Sequence, residues 1–496
     1  MKNLQYLTLG LAIIIFLAMA FHFWGWPLDD AFEENVYAKN LVQGHGFVFN
    51  VGEEKIEGYA CLLWILLLAA AIMLNLNIVL AANVMGVTFG ILAILMLYKL
   101  SLLVSGNKKY AAYPPLFLAS MPAFAIWATS GVETALFIFL LITALYFFIK
   151  EEKQGRGYLS AVFFLLLALT RHEGGIVFLA SLVFRGIKHY RSLTTDREYL
   201  KKQAIWAAIV IIPYSLYTIW RLFYFGDLFP NPFYAKSSLS PVYGNISAMA
   251  VFMSYLAPFI ILGILGIIDK KLTTAQKYLI FIGSVMLILV WRIGGWYWAY
   301  RYAVPIIPII LVFSQFELER LFSAAKKESV LKKALAVLVP ALLLFYAIYP
   351  LAMFENQVEY GASGSRGTQT NYANWFNEYY PNVTLAFGDI GIIRYYTNLT
   401  LIDVAGLNNR YIAHHGFSVD YIIQMKPEFV ILISQTEDNF TSLNDPRNEY
   451  IALYNSKEFH DHYTLVFKSY VVSGYYYWTY IRNDLTISQE ALANHP

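Results

Sequence analysis

The chain has 496 residues, of which 58% are hydrophobic and only 14% charged, and its mean hydropathy is +0.51. Soluble domains carry about 25% charged residues, so a soluble enzyme, a disordered chain and a nucleic-acid binder are excluded. A net charge of +3 is too small for polyanion binding, and the single cysteine, Cys61, excludes an intramolecular disulfide and a cysteine-based metal site.

Leu4 to Phe23 is the first stretch with the roughly 20 mostly apolar residues that cross a bilayer. It reads as a retained anchor, although Ala18-Met19-Ala20 has the small-residue pattern of a signal-peptidase site. Trp24 and Trp26 then suit the interfacial belt, and Pro27 ends the helix. Asp29 and Asp30 fall in the first turn of a helix expected over 31–43, where a carboxylate complements the positive end of the dipole. One of the two is expected as the N-cap, leaving the other to face a cavity as a candidate general base. His45, between Gly44 and Gly46, reads as a hydrogen-bonding loop residue rather than a metal ligand. The run 60–74 is apolar but short, and is expected to lie in the interface without crossing.

Ten further spans are expected at 78–103, 111–128, 134–149, 157–170, 174–184, 203–223, 249–268, 278–292, 303–316 and 334–351. With 60–74 not crossing, most loop cations, among them Lys108, Lys109, Lys150, Arg185, Lys270 and Lys326, gather on one side. The positive-inside rule makes that side cytoplasmic, with the N-terminus. Residues 1–351 thus form a membrane domain of about eleven spans in the cell (inner or plasma) membrane. Residues 352–496 form an extracytoplasmic domain with strand-like runs at Val383–Phe387, Thr400–Val404, Phe429–Ser434 and Thr464–Tyr470. The expected fold class is a polytopic α-helical membrane protein with a C-terminal α/β domain.

The spans 157–170 and 174–184 are short and share Arg171-His172-Glu173. A charge at the bilayer centre costs at least about 2.5–3.5 kcal/mol, so this triplet is expected at a wet, outward-facing cavity. A guanidinium there needs an anion. A lipid phosphate would take it bidentately, and Glu173 or Glu133 would take it as an ion pair. Glu133 opens the next helix on the same face as Asp29. Lys39, Arg292 and Arg301 are cations on that side, open to headgroup, ion-pair or donor contacts. Tyr234 and Lys236 lie in a loop, 224–248, positioned to cover the cavity.

An ordered set of motifs runs through nearly the whole chain: Asp29-Asp30-Ala-Phe, Tyr37-Ala-Lys-Asn-Leu, Gly44-His-Gly-Phe-Val-Phe-Asn50, Glu57-Gly58-Tyr59, Ser130-Gly-Val-Glu133-Thr-Ala-Leu136 and Thr170-Arg-His-Glu-Gly174. It continues with Pro230-Asn-Pro-Phe-Tyr-Ala-Lys236, Gly294-Gly-Trp-Tyr-Trp-Ala-Tyr-Arg301, Gly388-Asp389-Ile-Gly391 and Ile402-Asp403-Val-Ala-Gly406-Leu407. The set resembles the GT-C class of membrane glycosyltransferases, and within it the terminal β-(1→2)-arabinofuranosyltransferase-like family. Two positions depart from the family pattern: His172 stands where relatives often have proline, and Trp296 where they often have aspartate.

The resemblance implies transfer of a sugar, such as the pentose arabinofuranose, from a polyprenyl-phosphate donor to an envelope glycan, glycolipid or glycoprotein on the outer membrane face. It assigns the catalytic acids to Asp29, with Asp30 beside it, and Glu133. It assigns the lipid phosphate to Arg171, with His172, Glu173, Lys39, Tyr234, Lys236 and Arg301 as further donor-binding candidates. The implied mechanism is an inverting single displacement with Asp29 as base. Asp29, Asp30 and Glu133 are hard oxygen ligands that would suit a divalent cation, although an arginine can serve a monophosphate leaving group without one. The competing readings are a transporter or flippase of lipid-linked sugars, which calls for midplane charges and paired repeats, and a non-catalytic glycan-binding scaffold.

Overall fold

A computed structural model describes residues 4–25, 28–237, 242–268, 271–293, 298–325, 330–358, 364–441 and 449–496. Trp26, Pro27 and the run Gly294-Gly295-Trp296-Tyr297, all singled out in the sequence, lie outside the described residues.

The first half runs α1 (Leu4–His22), α2 (Asp29–Val42), α3 (Leu62–Met73), α4 (Ile78–Ser105), α5 (Tyr113–Ala119), α6 (Pro122–Thr129), α7 (Thr134–Gln154), α8 (Leu159–Thr170) and α9 (His172–Lys188). It continues with α10 (Tyr190–Thr195), α11 (Arg197–Phe225), α12 (Asn231–Ser237), α13 (Val242–Ile267), α14 (Thr274–Ile293), α15 (Ile307–Ala325), α16 (Val330–Ile348) and α17 (Leu351–Val358). All eleven expected spans fall on helices, but α8, α9 and α15 are not long and apolar enough to cross by themselves, fewer crossings than the sequence suggests. Among the described residues seven helices are long and apolar enough to cross a membrane, or eight if the pair α5–α6, bent by 62°, is one broken span. The bend falls at Pro122, which cannot continue the hydrogen-bond ladder of α5. At 12 residues, α3 is about 18 Å long and too short to cross about 30 Å of hydrocarbon, as its sequence suggests. It packs against α2, α4 and α8, and Trp64 Nε1 donates to the carbonyl of Gly131.

The C-terminal domain comprises α18 (Gly364–Tyr379), β1 (Thr384–Phe387), α19 (Gly391–Tyr396), β2 (Thr400–Asp403), α20 (Arg410–His415), α21 (Val419–Met425), β3 (Phe429–Ser434), α22 (Glu449–Asn455), α23 (Lys457–His462), β4 (Tyr463–Val472), β5 (Tyr475–Arg482) and α24 (Gln489–Ala493). Its strands form one sheet in the order β2-β1-β3-β5-β4, parallel from β2 to β3 and antiparallel from β3 to β4. Strand β3 is buried at every position, as a continuous apolar run covered on both faces should be. The four expected strands are all present; β5 is an addition.

The two halves meet along α2. Asp29 accepts backbone N–H bonds from Gly391 (3.0 Å) and Ile392 (2.8 Å) at the start of α19. Tyr37 donates to Asn408 Oδ1 at 2.8 Å, and Asn408 Nδ2 donates to Glu33 at 2.6 Å. Asn50 exchanges two bonds with the backbone of Leu401, and Asn231 donates to the carbonyls of Gly406 and Leu407. The approach is close enough to demand glycine twice: a Cβ on Gly391 would lie 2.1 Å from the carbonyl oxygen of Asp29, and one on Gly58 would lie 1.9 Å from Asn408 Oδ1. Two of the sequence motifs are therefore the two sides of one junction.

Candidate active site

The turns between the helices at the C-terminal-domain end of the bundle bring five charged side chains into one chain of alternating sign. Asp30 Oδ2 pairs with Arg301 Nη1 at 2.7 Å, and Arg301 Nη2 with Glu133 Oε2 at 3.2 Å. Glu133 Oε1 pairs with Arg171 Nη1 at 2.5 Å, and Arg171 Nη2 with Glu173 Oε1 at 2.8 Å. Glu133 occupies the N-cap position of α7 but makes no capping bond, so both its oxygens go to arginines. Burial works to raise its pKa, but Arg301 and Arg171 outweigh burial and hold it down at about 2. Glu133 is therefore a fixed anion that orients two guanidinium groups, and a poor base.

Arg301 and Tyr302 follow an unusual piece of backbone. Ala299 and Tyr300 both have positive φ, 41° and 56°, a conformation costly for residues with a Cβ. Trp127 Nε1 holds this turn by donating to the carbonyl of Ala299 at 2.8 Å. The Tyr302 ring lies under the Arg171 guanidinium at 4.7 Å, and Lys236 Nζ reaches the Tyr302 hydroxyl at 3.4 Å. Burial would raise the Tyr302 pKa, yet Lys236, Arg301 and Arg171 together pull it below the ordinary tyrosine range. That shift reports a strongly positive local potential. A narrow crevice opens beside it, walled by Phe137, Met286, Leu289, Val290 and Pro305, with Arg171, Glu173 and Tyr302 at its polar end.

Asp29 and Asp30 part company. Neither caps α2, contrary to the sequence expectation: the N-cap residue is Leu28. Instead, both oxygens of Asp29 face the amides that open α19. Burial and the neighbouring Asp389 push its carboxyl up to about 8, against the pull of those amides. Asp30 is exposed, and its Oδ1 has no hydrogen-bond partner among the described residues.

The other expected donor contacts divide as well. Lys236 joins the cluster. His172 lies beside Arg171 but turns its Nδ1 to Tyr214 at 3.0 Å, with Nε2 buried and unpartnered; burial, then Arg221, lowers its pKa to about 4. Lys39 is elsewhere: its Nζ donates to the carbonyl of Tyr395 at 3.0 Å. Tyr234 stacks on His414 of the C-terminal domain, with ring centres 4.1 Å apart. The sequence reading missed a buried pair, Glu57 with Arg221 at 2.7 Å, to which Tyr217 adds a hydrogen bond at 2.9 Å. Glu57 stands in a quoted motif, but Arg221 is 164 residues away, and that separation leaves no local signal.

A divalent cation does not fit these residues. Asp29, Asp30 and Glu133 do not converge on one point, and both oxygens of Glu133 are matched by arginines. The acidic groups that do converge are Glu34, Cys61 and Glu133. Burial raises the Glu34 and Cys61 pKa values well above the ordinary ranges, which disfavours the charged forms that a metal needs. A metal would have to displace an arginine from Glu133.

Comparison with known proteins bears on the fold. Residues 355–483 match the family model "Domain of unknown function (DUF8728)". No curated protein matches the chain. The oligosaccharyltransferase of Archaeoglobus fulgidus in its apo form is a structural neighbour at TM-score 0.58 and 13% identity, covering 87% of this chain and 69% of that one. ArnT from Cupriavidus metallidurans, in a structure with bound undecaprenyl phosphate, matches at TM-score 0.58 and 12% identity, covering 96% of this chain and 97% of that one. The chain has a GT-C fold. A second structure of the A. fulgidus enzyme, tethered to an acceptor peptide, matches at TM-score 0.57 and 12% identity over 87% of this chain and 69% of that one.

Proposed function

We propose that the protein is a glycosyltransferase that moves a sugar from a polyprenyl-phosphate donor to an acceptor on the extracytoplasmic face of the cell membrane. The observation that carries this reading is the gathering of Arg171, Arg301 and Lys236 around Tyr302, at the polar end of an apolar crevice. The cations suit a phosphate head, and the apolar walls, which leave only about 20 Å³ of open space, would part to admit a hydrocarbon tail. Two structural neighbours support it: ArnT binds undecaprenyl phosphate, and the oligosaccharyltransferase holds an acceptor peptide. The cation bias of the loops supports the orientation.

In the mechanism we infer, Asp30 takes the proton of the acceptor hydroxyl. The hydroxyl oxygen attacks the anomeric carbon, the bond to the phosphate oxygen breaks, and the configuration inverts in the single step. Negative charge grows on the departing phosphate, so the Arg171 guanidinium favours the transition state over the bound donor. Glu133 and Glu173 hold that guanidinium in place. The base is reassigned from Asp29 because Asp29 spends both oxygens on the domain junction, whereas Asp30 keeps one free beside the cationic cluster. For the sugar, the sequence resemblance points to a pentose such as arabinofuranose, and the acceptor is an envelope glycan, glycolipid or glycoprotein.

The test is transfer or hydrolysis of a panel of polyprenyl-phosphoryl sugars by the purified protein in detergent, with nucleotide sugars alongside. Turnover of at least one lipid-linked sugar, and of no nucleotide sugar, is expected. Turnover of nucleotide sugars alone would contradict the reading.

A further inference from the structure

The junction between α2 and the C-terminal domain encloses a polar cleft of about 420 Å³ that the proposed reaction does not use. Lys39 and Arg394 line it, one from each half of the protein. Among the described residues neither has a carboxylate partner. Lys39 donates to the carbonyl of Tyr395, and Arg394 donates through Nε to Phe49 and through Nη1 to Thr397, again to carbonyl oxygens. Arg394 is 5% exposed. Burial lowers both their pKa values, Arg394 to about 10, and Arg394 lowers Lys39 further. A buried guanidinium and a half-buried ammonium facing one cleft without a carboxylate counter-charge are unfavourable, and an anion in the cleft offsets that.

The rest of the lining says what kind of anion. Gln43, His45, Asn398 and Thr400 face the cleft, and their side chains make no hydrogen bond to the described residues. They offer neutral donors and acceptors of the kind that hydroxyl groups pair with. Lys39 follows Asp30 by nine residues, two and a half helical turns, so it projects from the opposite side of α2. The cleft is therefore a separate place from the cationic cluster at Tyr302, and it does not hold the donor phosphate.

We propose that this cleft binds an acidic saccharide, with Lys39 and Arg394 taking its carboxylate or phosphate and the amide and hydroxyl side chains taking its hydroxyls. Under the transferase reading on which the acceptor role rests, the cleft anchors a distal acidic unit of the acceptor glycan while another unit reacts at Asp30.

Binding can be measured on the whole protein in detergent by calorimetry, without donor or turnover, so its outcome is independent of the transferase test. The probes are trigalacturonate, glucose 6-phosphate, maltotriose and inorganic phosphate. At least one of the two acidic saccharides is expected to bind, and which one does identifies the acid. Lys39→Gln is expected to weaken that binding at least tenfold, Lys39→Arg to retain most of it, and Asn398→Asp, which adds a negative charge at an exposed position, to weaken it several-fold. Thermal melting of the three variants checks that each is folded. Failure of both acidic saccharides to bind would overturn the proposal. So would equal binding of maltotriose, equal binding of inorganic phosphate, or binding indifferent to Lys39→Gln and Asn398→Asp in folded protein.

Discussion

Two regions that meet at α2 solve opposite problems. Around Asp30, charge is concentrated and alternates in sign through Arg301, Glu133, Arg171 and Glu173, with every bond between side chains. Along the junction with the C-terminal domain, Asp29, Asn50, Asn231 and Lys39 bond instead to backbone amides and carbonyls. Side-chain ion pairs can exchange partners when a charged ligand arrives, whereas bonds to backbone fix one element against another. Under the proposed function the first region meets the donor phosphate, and the second holds α2 still while it does so.

The largest effect should follow from breaking the ion chain. Arg171→Ala should lower turnover about 10²–10³-fold, the scale seen when a donor to developing negative charge is removed. Arg171→Lys should keep part of the activity, since it keeps the charge and loses the fork. Glu133→Gln should instead act on stability. It leaves two buried guanidinium groups sharing a neutral partner, and removing one member of a buried pair costs about 3–5 kcal/mol. A thermal melt and a transfer assay on these three proteins and on Glu173→Gln separate the two effects. Equal melting loss in Arg171→Ala and Glu173→Gln, with turnover per folded molecule unchanged, would reduce Arg171 to a structural partner.

A smaller effect should follow at the junction. Asn408→Ala removes partners from buried Tyr37 and from Glu33. It should cost about 1–3 kcal/mol and raise the susceptibility of the C-terminal domain to proteolysis. Unchanged melting and proteolysis would mean that the contact carries no load.

A pH slope reads the same junction through Asp29. In the folded protein Asp29 keeps its proton up to about pH 8, whereas its ordinary value is 3.8. The folded state binds the extra proton between those values, so this group's contribution to stability falls as pH rises through that window and levels off above it. Asp29→Asn does not titrate. The melting temperature of the variant relative to the natural protein should therefore climb from pH 5 to pH 8. Parallel curves would show that Asp29 titrates normally.

How much of this was legible in the sequence depends on distance along the chain. The spans and four strands follow from local apolar runs, and Arg171 with Glu173 are two residues apart, so their pairing could be anticipated. Strand β5 was missed because Tyr475-Tyr476-Tyr477-Trp478 is aromatic throughout and shows no polar alternation. The contacts of Asp29 were missed for another reason: its partners lie more than 360 residues away and are backbone amides, which any residue type carries. A carboxylate at the start of a helix looks the same in sequence whether it caps its own helix or braces another one.

The most direct test of the central claim compares transfer by Asp29→Asn and Asp30→Asn, both as folded protein, with a polyprenyl-phosphoryl sugar that the natural protein uses. Asp30→Asn should lose about 10²–10⁴-fold in turnover, the share carried by a general base, with its melting temperature unchanged. Asp29→Asn should lose far less. The reverse order, with Asp30→Asn active and Asp29→Asn inert, would contradict the account.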